Sequence, residues 1–540
     1  MIGKRYLLQE QLGVGGMGTV HRALDRLTGE TIALKQVVAA ADRLQFGQSG
    51  LSLSSPATTR NMALAHAQEF KLLASLRHPN IISVLDYGFD QQKPFFTMEL
   101  LHNPCTITEA GANQSLDLQV NLLMQLLQAL AYLHRRGIIH RDLKPTNVLV
   151  VSGEHGCVVK ALDFGLSMIP SGDEETDSST AGTLGYMAPE VLTGGFISPR
   201  ADLYAFGVIA YEVFTGRHPF DRGDIVQLIH NIFESEPDLS DIPERLAVVL
   251  QRLLAKSPES RYDSASDVIE ALSQATGQEV PPETAAIRES YLQAAELVGR
   301  DHELIQLTNA MDNAVVGLGS AWLVGGESGV GKSRLLEELR TLALVKGALV
   351  LRGQCVSEGG AFYAPWRPAL RWLSLFTPLD YQEARVLKTL VPDISDFVGH
   401  EVDDAPELSP LQAQERLLSA MLALFKRQKQ PIILILEDLQ WANDESLEAL
   451  SRLTKLVDHL PLLIVGSFRD DESPHLPQNL PYMHLLKLRR LSQQGIARLS
   501  EAMIGEAGRQ QHLVEMLHRE TEGNVFFIVE VVRALAEEAG

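Results

Sequence analysis

Cysteine is scarce: Cys105, Cys157 and Cys355 are the three in 540 residues, widely spaced and with no CxxC pair. This excludes a disulfide framework, no metal-ligand cluster is visible, and the thiols are expected to be mostly buried and reduced. Long apolar runs are also missing. The longest, such as PIILILE from Pro431 to Glu437, are strand-sized, far short of the roughly 18 residues that span a bilayer. The opening MIGKRYLLQE lacks a signal-peptide apolar stretch. A cytoplasmic chain with no membrane partner is expected. Positive charge is in deficit, with 47 Lys+Arg against 68 Asp+Glu and a net charge of −21. Such a field opposes non-specific attachment to nucleic acid or anionic lipid, so no nucleic-acid partner is indicated.

What remains is ordinary globular composition, 45% hydrophobic and 21% charged, in a length that suggests about three or four domains. A first block, residues 1–272, opens with β-type segments around glycines and continues into helical patterns such as LQVNLLMQLLQALAYLHRRG. Within it, Ala40 to Arg60 is rich in Ser, Gly and Thr without periodicity and reads as an inserted loop. A polar stretch with a Pro-Pro pair, residues 273–296, reads as a linker. In residues 297–492, AWLVGG, ALVLRGQC, PIILILED and PLLIVGSFR are nearly continuously apolar and alternate with helical patterns. That is the signature of buried parallel strands in an α/β domain. Residues 493–540 read as helical, a lid that could be incomplete here.

LGVGGMGTV places Gly13, Gly15 and Gly18 in G-x-G-x-x-G spacing. The stretch TVHRALDRLTGETIALK after it reads as a hairpin ending at Lys35, not as the helix of a dinucleotide-binding fingerprint. Then follow a helical AHAQEFKLLASLRHPNII bearing Glu69, HRDLKPTN from His140 to Asn147, DFG from Asp163 to Gly165, and APE from Ala188 to Glu190. Each has a mechanical part in phosphoryl transfer, and they stand in one order. This block resembles the bacterial Hanks-type serine/threonine protein kinases, whose fold is bilobal and α+β.

The resemblance implies the following roles. The loop Gly13, Val14, Gly15, Gly16, Met17 and Gly18 covers ATP phosphates. Lys35 neutralises them and is held by Glu69. Asp142 orients and deprotonates the attacking hydroxyl, Lys144 touches the γ-phosphate, and Asn147 and Asp163 hold Mg2+. Val20, Ala33 and Leu149 sandwich the adenine, with Met98 behind it and the hinge at Glu99 to Leu101. Thr183 braces Asp142 and Lys144. Asp202 braces the catalytic-loop backbone, Glu190 and Arg261 form a structural ion pair, and His140 and Phe164 pack with Leu73 and Val84. Arg141 before Asp142 goes with activation-loop phosphorylation, for which Thr176, Ser178, Ser179 and Thr180 are the candidates.

GGESGVGKSRLLEEL carries a second, unrelated phosphate motif: Gly326, Gly331, Lys332 and Ser333 in G-x-x-x-x-G-K-[ST] spacing, between a strand and a helix. Its N–H groups form an anion cradle at a helix N-terminus. Gly329 and Arg334 count among the nucleotide-binding residues, Lys332 is expected on the β/γ-phosphates and Ser333 on Mg2+. Glu437 and Asp438 end an apolar strand as the acidic pair for metal and water, their division of labour open. Arg469 ends the next strand, placed to sense the γ-phosphate. With ELVGRDHEL, RGQCVSEGGAFYAPW and TEGNVFFIVEVVRAL, these features resemble the STAND class of AAA-like signalling ATPases, Val525 standing where that class has proline.

The two motif sets are distinct machines, because kinases use no Walker A loop. The expectation is a multidomain chain, a kinase fold followed by an α/β P-loop ATPase with a helical lid. It uses ATP and Mg2+, acts on protein Ser/Thr, and is tuned by a self-associating nucleotide switch. The alternative is a signalling scaffold whose ATPase drives assembly and whose kinase mainly phosphorylates itself.

Overall fold

A computed structural model describes residues 2, 4–15, 18–37, 76, 78–90, 93–153, 156–162, 184–220, 224–278, 297–357 and 361–539. Gly16, Met17, Glu69, Asp163, Thr183, the Ala40–Arg60 insert and the four candidate phosphosites lie outside them.

Five strands form the first sheet: β1 (Tyr6–Gly15), β2 (Gly18–Asp25), β3 (Thr31–Val37), β4 (Val84–Asp90) and β5 (Lys93–Met98). They pair antiparallel in the order β1-β2-β3-β5-β4. The predicted hairpin is β2–β3, turned at Gly29, whose φ of 75° suits glycine. Strand alternation divides β3. Ile32 and Leu34 pack with Tyr6, Ala23 and Phe95 on one face, and Ala33 joins Ile82 and Met98 on the other. Lys35, two residues on, follows Ala33 onto that second face.

Helices then dominate. The helix α1 (Leu116–Arg135) is the LQVNLLMQ stretch, capped by the Ser115 hydroxyl, and apolar residues are buried around most of its circumference. That makes it a central element. It packs on α2 (Pro199–Thr215), which starts at a proline and stops at Gly216 in the left-handed region, φ 72°. A small sheet of β6 (Cys105–Thr106), β7 (Val148–Gly153) and β8 (Gly156–Ala161) lies between the lobes. The last helix of this half, Ala265–Thr276, runs past the expected boundary at residue 272 and ends at Gly277.

The second half holds five parallel strands in the order β10-β11-β12-β9-β13: β9 (Ser320–Gly325), β10 (Leu349–Gln354), β11 (Ile432–Glu437), β12 (Leu462–Phe468) and β13 (His484–Lys487). Both faces are covered, which explains the uninterrupted apolar runs. Ile433 and Ile435 face α3 (Asp301–Val315) and α4 (Lys332–Val345), while Leu434 and Leu436 face the side carrying Trp366 and Leu370. Three helices close the chain, α5 (Gln493–Ile504), α6 (Gln511–Thr521) and α7 (Val525–Ala539), around a cluster of Ile496, Leu499, Leu517 and Ile528.

Of the cysteines only Cys355 is buried, and Cys105 and Cys157 are half-buried. Cys105 and Cys157 lie on the short sheet between the lobes, which is less enclosed than the parallel sheet. No helix among the described residues is long and apolar enough to cross a membrane.

Candidate functional site

The first site is a cleft between the lobes. Strand pairing sets Lys35 beside Val20 and Phe96; its side chain is buried, with Nζ 5.8 Å from the Phe96 ring centre. Gly13 and Gly15 end β1 and Gly18 opens β2 at φ 144°, a conformation closed to most side chains. Val14 is exposed at the hairpin tip. Val20, Ala33, Met98 and Leu101 come together with Ile82 and Leu162 in one apolar cluster. Leu149 is half-buried on β7. The Glu99 carboxylate accepts from Lys160 Nζ at 2.8 Å and from the Ser83 N–H at 3.0 Å. That side chain is therefore committed within the protein.

Asp142 is buried and its carboxylate is held from two sides. Lys144 Nζ lies 3.0 Å from Oδ2. Asn147 Nδ2 donates to the same carboxylate oxygen and to the Asp142 carbonyl, both at 2.8 Å. With both amide hydrogens committed, Oδ1 is the atom of Asn147 able to take a cation, a hard oxygen ligand suited to Mg2+. The Leu162 N–H donates to the Asn147 carbonyl at 2.8 Å, tying the end of β8 to this loop. Behind it Asp202, 2% exposed, accepts from the His140 and Arg141 N–H groups at 2.8 and 3.0 Å and from His134 Nε2 at 2.8 Å. Arg141 has φ 67°, a strained position for a side-chain-bearing residue, and Asp202 holds it there. Arg261 and Glu190 form a two-pronged pair at 2.7 and 2.8 Å, and Arg261 also donates to the Ala255, Lys256 and Arg200 carbonyls.

The second site lies at the carboxyl ends of the parallel strands, where β9 turns into α4. Gly331 (φ 102°) and Gly329 (φ 76°) make the turn. A side chain on Gly329 would meet Phe526 Cβ at 2.7 Å and Asn524 Oδ1 at 2.8 Å. Lys332 is buried and donates to the Gly326 and Glu327 carbonyls at 2.7 and 2.8 Å. Burial, then the charge of Arg469, lowers its pKa against the pull of Asp471, Asp438 and Asp470. Ser333 is exposed in the first turn of α4.

The two acids differ. Asp438, at φ 58°, is among the charges acting on Lys332, and Gln440 and Gln354 donate to it at 3.2 and 3.3 Å. Glu437 is engaged by Arg352 at 2.7 Å. Arg469 pairs with Glu472 at 2.6 Å and lies 5.0 Å from the Trp441 ring centre. Arg334 has other neighbours, Glu338, Glu337, Arg136 and Tyr132, and burial lowers its pKa.

The lid meets the loop directly. Asn524 Nδ2 donates to the Ser328 carbonyl at 2.9 Å, and the Phe526 N–H to the Gly329 carbonyl at 3.0 Å. Val525 in place of proline does not prevent either bond. Arg490 pairs with both Glu327 and Glu522. Arg300, from the ELVGRDHEL motif, is buried and donates to the Val330 and Arg489 carbonyls at 2.9 and 2.6 Å. Sequence reasoning gave no role to Arg300, Arg352, Asp470, Asp471 or Arg490. Arg352 left one signal, a charge inside the apolar run ALVLRGQC.

Residues 6–272 match the protein kinase domain family and residues 296–465 the AAA ATPase domain family. The lid and Arg469 lie outside the second match. Among curated proteins, the chain is 30% identical over 331 residues to a probable serine/threonine-protein kinase, pknA2, of Bifidobacterium longum, covering 59% of this chain and 40% of that protein. It is 33% identical over 283 residues to the serine/threonine-protein kinase Pkn1 of Myxococcus xanthus, covering 51% and 39%. To the serine/threonine-protein kinase PrkC of Bacillus subtilis it is 29% identical over 280 residues, covering 50% and 40%. The chain thus spans about two fifths of the length of these relatives. It joins a protein kinase domain of the bacterial serine/threonine type to an AAA ATPase domain.

Proposed function

We propose that the chain is a serine/threonine protein kinase that transfers the ATP γ-phosphate to protein hydroxyls, and that its second half is a STAND-type nucleotide switch setting that output. The domains would be 1–272 for the kinase, 273–296 for the linker, 297–492 for the ATPase and 493–540 for the lid. The observation that carries the kinase reading is the Asp142 carboxylate, fixed by Lys144 at 3.0 Å and Asn147 at 2.8 Å. An acceptor serine or threonine presented there loses its proton to Asp142 as the phosphoryl group arrives. Lys144 offsets the charge developing beside it. Lys35, assigned to Glu69, neutralises the α/β-phosphates, and the apolar cluster of Val20, Ala33, Met98 and Leu101 takes the adenine. Asn147 and Asp163 would hold Mg2+, which would supply charge neutralisation to the phosphates.

In the second half, Lys332, Ser333, Asp438 and Arg469 form the nucleotide-facing set. A γ-phosphate there would compete with the Gly326 and Glu327 carbonyls for Lys332 and bias the lid through Gly329, a population shift between two states. A phosphotransfer assay on a Ser/Thr protein acceptor, with Asp142→Asn and Lys332→Ala in parallel, tests both halves. Asp142→Asn should cut transfer roughly 10²–10⁴-fold, and Lys332→Ala should change its rate at sub-saturating ATP. Self-association through residues 297–540 should appear as an ATP-dependent rise in sedimentation coefficient that Lys332→Ala lacks. If Lys332→Ala leaves both rate and assembly unchanged, the switch is refuted. Transfer confined to the chain itself favours the scaffold.

A further inference from the structure

The helix α4 starts at the Walker A lysine and ends against the kinase. Leu344, 7% exposed, joins the core cluster of the first half, with Val345 and Val350 packed beside it. Phe89 of β4 lies 3.8 Å from the point where a side chain on Gly347 would begin. Nearer its N-terminus, Arg334 is within electrostatic reach of Tyr132 and Arg136 at the end of α1. One helix therefore packs against β4 and the core of the first half, and its N-terminal end lies within electrostatic reach of the end of α1. Arg5 over the Trp372 ring at 5.3 Å and Arg26 Nη2 donating to the Asp396 carbonyl at 2.8 Å add to the same junction.

Along this contact runs an unbroken polar chain. Glu437 pairs with Arg352 at 2.7 Å, and Arg352 with Glu337 of α4 at 3.0 Å. Glu337 pairs with Arg340 at 2.8 Å, and Arg340 Nη2 donates to the Leu85 carbonyl at 3.0 Å. Leu85 is a particular acceptor. Strands β4 and β5 pair Val84 with Met98 and Asp86 with Thr97, so Leu85 is the extra residue of a bulge. The bulge takes its carbonyl out of the ladder. Its neighbour Val84 is paired with Met98, a wall of the cleft's apolar cluster. At the far end, Glu437 is the residue before Asp438, which acts on Lys332.

The geometry points to a relay in which the hold of Arg352 on Glu437, changed by nucleotide at the second site, sets the grip of Arg340 on the Leu85 bulge and so the kinase's affinity for ATP. This rests on the switch reading above and gives it a route. Arg352 is half-exposed, with 45% of its side chain accessible, so its two ion pairs exchange readily with water, as a reversible link requires. An interaction that biases one of two arrangements at both sites is what coupling demands.

The test is a mutant cycle on the full chain, reading the kinase's KM for ATP and kcat on a fixed protein acceptor. In the wild-type background Lys332→Ala should shift KM by about fivefold, at the low end of allosteric couplings, with kcat little changed. In an Arg340→Met background, and separately in Arg352→Met, the same Lys332→Ala change should move KM less than about twofold. Among the described residues Arg352 pairs with Glu337 and Glu437 and with none of the kinase half, so Arg352→Met guards against misfolding at the junction, and Arg340→Lys should restore part of the coupling. If Lys332→Ala still shifts KM fully in both backgrounds, the relay is overturned and the switch stands. If Lys332→Ala is silent in the wild type, the relay is overturned, and if assembly is unchanged as well the switch falls with it.

Discussion

At the scale of single residues, buried charge decides most of what can be tested. Asp142→Asn removes the proton acceptor but keeps the shape, so phosphotransfer should fall roughly 10²–10⁴-fold with the fold intact. Arg261 is fully enclosed and its loss would leave Glu190 unpaired beside three carbonyls. Arg261→Ala should cost about 3–5 kcal/mol, read as a lower unfolding midpoint. His78 gives a pH signature. Burial, then Lys160, lowers its pKa from 6.5 to about 4. The folded state thus binds fewer protons than the unfolded between those values, so stability is complete above about pH 6.5 and declines as pH falls toward 4. The loss attributable to His78 should reach about 2 kcal/mol by pH 5. Unfolding midpoints at pH 7.5 and 5 should differ less in His78→Phe than in the wild type.

At the scale of elements, what was legible follows from burial. Strands β9 to β12 showed in the sequence because a parallel sheet covered on both faces leaves an unbroken apolar run. The edge strand β13 was not seen: HLLK has one buried residue, Leu486, too little to make a pattern. The helix α1 was readable because its residues are buried over most turns. The turn between β9 and α4 was readable as glycines, but not the reason Gly329 must be one. Its φ of 76° and the 2.7 Å approach of Phe526 Cβ come from the lid. Gly329→Ala should therefore push Asn524 and Phe526 away and weaken nucleotide binding at this site at least tenfold, about 1.4 kcal/mol. A labelled-nucleotide titration in a Lys35→Met background, which silences the first site, checks it.

At the scale of the whole molecule, the two halves share packing. Leu344 lies in the core cluster of the first half, so Leu344→Asp places a charge in that seam. Calorimetry should then resolve two unfolding transitions where the wild type couples them. That the chain has two halves could be read from its two motif sets, with a polar Pro-Pro stretch between apolar blocks. The seam could not: Leu344, Leu85 and Arg340 look like ordinary members of a helix and a strand.

By itself, the amino-acid sequence determined that two phosphate-handling machines are present and of which type. Each motif stands at fixed spacing within a short stretch, and the motifs follow one order along the chain. Tertiary structure decided which acid lies within electrostatic reach of Lys332 and which is held by Arg352, that Asn524 closes on the loop, and that α4 abuts β4. Those choices join residues 85, 196 and 255 positions apart. Contacts so distant depend on how sheets and helices pack, which no local spacing records.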